Sequence, residues 1–249
     1  MDLSRHSILI TGANRGLGAA FVEAALVRGA PTVYAAARDP ASLPRYSDAA
    51  RVVPVRLDVT DQAEITAAAR ELGAVDLVIS NAGVPCAGSV LGDTDEATFQ
   101  NALDVNALGP WRLVRAFGAN LARPGAGAIF VLSVAAVALS RSSPMYSASK
   151  AACLMLALGL REELQVHGAT VTAVLPGFID TDMGAQFELP KASPRQIAER
   201  SLDGWLAGRT TVWPDRFAEL VHAAIGEDYR RLLDEPRRTM TEVQAAYLS

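Results

Sequence analysis

Lys150 lies four residues after Tyr146, and only Lys150 and Lys191 among the 23 basic side chains of this 249-residue chain are lysines. On a helix, positions i and i+4 stack on one face, which sets an ammonium beside a phenol. At ~4 Å and an effective dielectric near 20 the attraction is roughly 4 kcal/mol, enough to draw a phenol pKa toward neutrality and make Tyr146 a proton donor or acceptor. Arginine at 150 would present a planar fork in place of a compact charge that can donate to a sugar hydroxyl at the same time. The plain alternative is a solvent-facing helix pair. Upstream, Ser133 ends the apolar run 128–132. It either terminates a buried strand or reaches the same carbonyl as Tyr146, and with Tyr146 and Lys150 it makes an acid and oxyanion-donor set.

A second set opens the chain. The run 7–10 reads as a buried strand, Thr11-Gly-Ala-Asn-Arg-Gly-Leu-Gly18 follows, and 19–27 reads as a helix. Glycines at 12, 16 and 18 stand where the strand turns into the helix, so backbone N–H groups and the helix N-terminus can approach a pyrophosphate.

Thr11-Gly-x-x-x-Gly-x-Gly18, Asn81-Ala82-Gly83, Asn106, Ser133, Tyr146-Ser-Ala-Ser-Lys150 and Pro176-Gly177 stand in the order and at the spacing of the short-chain dehydrogenase/reductase family, which the chain resembles over roughly residues 6 to 183. Ser80 departs from the usual asparagine before Asn-Ala-Gly. The resemblance implies that Tyr146 protonates a carbonyl oxygen as hydride arrives from the nicotinamide, that Ser133 hydrogen-bonds that oxygen, and that Lys150 holds the nicotinamide ribose. It places Gly12, Asn14, Arg15, Gly16, Leu17 and Gly18 in the cofactor site, Asp58 and Val59 at the adenine, and Asn81, Ala82 and Gly83 near the adenosine ribose. Pro176, Gly177, Ile179 and Thr181 fall at the carboxamide. The 185–249 segment corresponds to a variable substrate lid and C-terminal region.

Cofactor choice is read at the end of the second strand, where NAD enzymes place a carboxylate and NADP enzymes an arginine. By the resemblance the carboxylate position is Ala37; Arg38 follows, and Arg15 could clamp a 2′-phosphate from the other side. NADP(H) is therefore expected. NAD(H) stays open through Asp39, although Asp39-Pro40 also reads as a helix N-cap followed by proline at N1. Asp58 in Asp-Val-Thr-Asp is either the adenine contact or a turn initiator. Asn106 is unfavourable inside a helix, and Pro110 four residues on has no N–H for its carbonyl, so a kink is expected there. In the family that carbonyl holds a water of a proton relay; an exposed asparagine beside a kink is the alternative.

The elements that must position these groups alternate. Strand-like runs at 31–37, 51–57, 75–80, 127–133 and 169–175 interleave with helices near 16–29, 61–72, 94–121 and 144–167. That pattern predicts an α/β, doubly wound parallel sheet (a Rossmann fold) in a single domain over 1–249 with a C-terminal substrate lid. Ser193-Pro194 starts a helix through Leu206, and 210–213 could be a last strand. Residues 148–160 are apolar on almost every face, which predicts cover by a second subunit in a homodimer or homotetramer.

A net charge of −4 argues against nucleic acid or an anionic membrane as partner. Cys86 and Cys153 make no disulfide framework, the first residues leave no room for a signal peptide, and a cytoplasmic enzyme is expected. His6, His167 and His222 lack metal-ligand spacing, so no catalytic metal is expected. Adjacency to the motifs marks Ala135, Val137, Leu139, Met145, Phe178 and Met183 as substrate-facing. None carries charge, which predicts an apolar carbonyl or alcohol substrate for an NADPH-dependent carbonyl reductase. A 3-oxoacyl-carrier-protein reductase and a catalytically silent NADP-binding sensor or scaffold are the alternatives.

Overall fold

The structure is a computed structural model and describes residues 2–92, 94–227 and 236–248. Seven parallel strands form one sheet: β1 (Ile8–Thr11), β2 (Val33–Ala37), β3 (Val52–Arg56), β4 (Leu77–Ser80), β5 (Gly127–Val131), β6 (Thr170–Val174) and β7 (Thr211–Val212). Their order is β3-β2-β1-β4-β5-β6-β7. The central strands are short and buried along their whole length, as expected of a parallel sheet covered on both faces.

Each expected strand occurs: β1 is shifted by one residue toward the C-terminus, and the others are trimmed by one or two residues at their ends, where frayed pairing is usual. Helices α1 (Gly16–Val27) and α7 (Pro194–Leu206) share one core with the sheet. Helices α2 (Gln62–Glu71), α4 (Gly109–Ala116) and α6 (Pro144–Leu164) share the other. A third cluster joins Val134 and Ala138 to α8 (Arg216–Glu227) and α9 (Pro236–Leu248). Residues 228–235 and 249 of the expected lid lie outside the described residues.

The expected helix over 94–121 is broken into α3 (Glu96–Leu103), a π-turn (Asp104–Leu108), α4 and α5 (Gly118–Leu121). Proline at 110 withdraws one N–H, and the chain widens: the Gly109 N–H bonds to the Asp104 carbonyl, five residues back. Gly109 is required because a Cβ there would sit 2.9 Å from Val59 Cβ, where the helix crosses the loop after β3. Along α6, Cys153 and Ala157 face the core, while Met155 is 60 % exposed.

Candidate active site

The strand order reverses at β1, which pairs with β2 on one side and β4 on the other. At such a switch point the loops leaving the strand C-termini diverge and open a crevice. A cavity of about 970 Å³ lies there. Its wall takes Gly12, Asn14, Arg15, Gly16, Leu17 and Gly18 from the β1 turn, Arg38 from β2, Asp58 and Val59 from β3, and Asn81, Ala82 and Gly83 from β4. Ser133 comes from β5, Pro176, Gly177, Ile179 and Thr181 from β6, and Tyr146 and Lys150 from α6. Residues scattered over 170 positions of sequence thus face one space, but Asn106 is not in its wall.

The glycine turn is built for close approach. Gly12 and Gly16 adopt φ of +64° and +53°, and a Cβ on Gly18 would collide with the Gly12 carbonyl. Arg15 precedes α1 without a side-chain cap, leaving the first-turn N–H groups open. Two supports escaped the sequence reading. Thr11 Oγ1 accepts the N–H groups of Asn81 and Ala82 at 3.0 and 3.1 Å, tying the Asn-Ala-Gly loop to β1. The Tyr46 hydroxyl donates to the Ala13 carbonyl at 2.6 Å, and burial pushes its pKa up to about 12, with Glu23 adding to the shift. A tyrosine in an irregular loop carries no periodic signal that could have marked it.

At the end of β2, Arg38 projects outward, forms no ion pair among the described residues, and borders both the main cavity and a polar recess beside Asp58 and Thr60. Asp39 also borders the cavity, but its Oδ1 accepts the Ala41 N–H at 3.0 Å and caps the short turn Pro40–Ser42. The Arg15 guanidinium, largely exposed, pairs with the exposed Asp182 carboxylate at 2.6 Å, and both residues line the cavity. Asp58 initiates a turn, accepting the Thr60 N–H and Oγ–H at 2.9 and 2.8 Å. Burial opposes its ionisation, yet those bonds and the nearby Arg38 hold its pKa below the usual carboxylate value.

Lys150 is almost wholly buried. Its ammonium donates to the Val131 carbonyl at 3.0 Å and lies 5.8 Å from the Tyr146 ring centroid, so one bond fixes it to the strand end that delivers Ser133. Ser133 Oγ accepts the Ala135 N–H at 3.1 Å, leaving its hydroxyl hydrogen to donate. A Cβ on Gly83 would lie 3.2 Å from Asn106 Oδ1, which would have to give by a few tenths of an ångström, and in ordinary contact with Lys150 Nζ at 3.5 Å.

Asn106 is 1 % exposed, which overturns the exposed alternative. Its side chain is a staple: Oδ1 accepts the Val84 N–H at 2.9 Å, and Nδ2 donates to the Val84 carbonyl at 2.9 Å and to Ser149 Oγ at 3.0 Å. Ser149 Oγ in turn donates to the Tyr146 carbonyl at 2.8 Å. The π-turn turns this amide inward between the loop after β4 and α6, and nothing in the local sequence gives that direction.

The substrate wall needs correction. Ala135, Leu139, Phe178 and Met183 line the cavity; Val137 and Met145 do not. Adjacency to Ser133 does not put Val137 on the wall, because Ser133 caps a 3₁₀ turn (Val134–Ala136), which brings Val134 and Ala138 to the wall and packs Val137 into the core. Met145 opens α6, 3.6 Å from where a Cβ of Gly88 would stand. The wall also carries charge and amides the sequence reading did not assign: Arg141, Gln186 and Gln244. Cys86 lines it too, with a thiol pKa raised chiefly by burial. Among the described residues no group of three or more His, Cys, Asp or Glu side chains could hold a metal, and no helix is long and apolar enough to cross a membrane.

A strand-end cavity with a glycine turn at one end and a serine, tyrosine and lysine at the other defines a dinucleotide-dependent oxidoreductase site. The short chain dehydrogenase family model matches residues 6–191, and the chain belongs to that family. It is 31% identical over 243 residues to short-chain dehydrogenase PC-15 of Penicillium crustosum, covering 92% of this chain and 89% of that one. The structure of a short chain dehydrogenase from Burkholderia cenocepacia J2315 in complex with NADP superposes with a TM-score of 0.89 at 35% identity, covering 95% and 99% of the two chains. That of an NADPH-bound carbonyl reductase from chicken fatty liver gives 0.72 at 27% identity, covering 82% and 92%.

Proposed function

We propose that this chain is an NADPH-dependent carbonyl reductase running a reversible ketone–alcohol interconversion. The observation that carries the reading is the fixing of Lys150 to the Val131 carbonyl, which sets an ammonium under Tyr146 at the strand end bearing Ser133, within the cavity that begins at the glycine turn. The cavity suits a dinucleotide: the N-terminus of α1, which has no side-chain cap, would receive a pyrophosphate, and Arg38 beside the second strand makes no ion pair among the described residues. When bound, the reduced nicotinamide supplies the hydride. Tyr146 Oη gives the proton to the carbonyl oxygen, and Ser133 Oγ donates a hydrogen bond to the same oxygen. Lys150 would donate to a ribose hydroxyl. Asn106 sets the loop through Gly83 against Lys150, and its backbone carbonyl anchors the water of a proton relay.

NADP(H) over NAD(H) is supported by Arg38, by the use of Asp39 as a cap, and by the NADP and NADPH in the two structures above. Leu139, Phe178, Met183, Phe187 and Leu189 support a largely apolar substrate, with the described part of the 185–249 segment as its lid. The exposed Leu108, Trp111 and Met155 support a homo-oligomer built on the α4–α6 face, and two buried free cysteines support a reducing, cytoplasmic setting. Purified protein given NADPH and a panel of ketones tests the reading. Alicyclic and aryl ketones should be reduced fastest; a preference for pyruvate-like or phosphorylated carbonyls, or no oxidation of NADPH by any of them, refutes it.

A further inference from the structure

Asp215 is 2 % exposed and has no cation within ion-pair distance among the described residues. A buried carboxylate without a counter-ion is costly unless backbone donors surround it. Three do: Oδ2 accepts the Gly177 N–H at 2.8 Å, Oδ1 the Ala218 N–H at 2.9 Å, and the Phe217 N–H also points at it. Two of these donors are the first turn of α8, which makes Asp215 a helix cap. The third belongs to the cavity wall.

The reason lies in how the last two strands part. Ala173 N–H bonds to the Thr210 carbonyl and Leu175 N–H to the Val212 carbonyl. The same two-residue step would carry Gly177 N–H to the carbonyl of Pro214. That carbonyl is taken instead by Arg200 at 3.1 Å and Gln196 at 3.4 Å, both on α7. The Asp215 side chain steps in as acceptor. Gly177 must lack a side chain to allow it, since a Cβ would lie 2.8 Å from Asp215 Oδ1 and 2.7 Å from the Phe217 ring.

We propose that Asp215 is a positioning residue for the reaction: by holding the Gly177 N–H it fixes the 176–181 segment, the part of the wall that receives the nicotinamide end of the cofactor. The inference rests on the NADP(H) reading above. Burial raises the Asp215 pKa despite its three N–H donors, and helix capping alone does not require a carboxylate there, because serine caps as well.

That difference supplies the test. Asp215→Ser keeps a cap for α8 but is too short to reach Gly177; Asp215→Asn keeps the length and turns amide hydrogens toward one of the donors. For each, binding of NADPH is compared with binding of 2′-phospho-ADP-ribose, which lacks the nicotinamide. NADPH affinity should fall about tenfold or more in both variants, as expected for loss of a charged hydrogen bond, while affinity for the fragment stays within about twofold. Equal weakening of both ligands, or no weakening of NADPH in Asp215→Ser, overturns the assignment. A wild-type protein that binds neither ligand overturns the cofactor reading and the assignment with it.

Discussion

Replacing Asn106 by alanine should destabilise the fold by about 2–4 kcal/mol. The side chain makes three hydrogen bonds, two to Val84 and one to Ser149, from a position 1 % exposed. Each is worth about 0.5–1.5 kcal/mol net, and alanine leaves the Val84 N–H and carbonyl without their partner. In a chain of this size the loss corresponds to a Tm lower by roughly 5–15 °C. Urea unfolding followed by circular dichroism measures it, with an unchanged m-value expected because the same surface is exposed. Ser149→Ala removes only the third bond from this staple. The double variant should therefore lose about 1 kcal/mol less than the two singles together, since their shared bond is counted twice in that sum. Activity should fall with stability, because the loop carrying Gly83 abuts Lys150. An Asn106→Ala protein within about 0.5 kcal/mol of wild type, or strict additivity with Ser149→Ala, would refute the staple.

Tyr146→Phe should abolish turnover while leaving NADPH affinity within about threefold, because the Lys150 bond to Val131 does not involve the phenol oxygen; wild-type-like turnover would remove Tyr146 from the mechanism. Arg38→Asp should erase a preference for NADPH over NADH of about tenfold or more in kcat/KM, one charged hydrogen bond being worth ~1.5–3 kcal/mol; equal use of both cofactors by the wild type would return the choice to Asp39. Ultraviolet titration should find one of the five tyrosines ionising near pH 12, and Tyr46→Phe should remove it. Since the folded Tyr46 pKa lies above its unfolded value of 10.0, its contribution to stability is intact below pH 10 and is lost as pH rises toward 12. A wild-type titration in which every tyrosine ionises near pH 10 would contradict the burial of Tyr46 beside Glu23.

The alternation of buried runs with helical ones set the order of strands and helices, because apolar periodicity is a local property that each segment carries with it. Glycines at 12, 16 and 18 were legible for the same reason: a turn this tight excludes other residues wherever it occurs. The Tyr146–Lys150 pair was legible because a helix converts spacing into adjacency. Asp39-Pro40 likewise announced its cap before any fold was known. What the sequence left open depended on contacts between distant segments. The amide of Asn106 is turned inward by a π-turn that answers a missing N–H with a wider coil. Val137 leaves the substrate wall because Ser133 starts a 3₁₀ turn that packs it into the core. Arg15 finds Asp182, Tyr46 finds Ala13 and Asp215 finds Gly177 across 167, 33 and 38 residues. The choice among such long-range partners is made by the sheet, whose strand order decides which loops share the C-terminal edge, and no local pattern encodes that order.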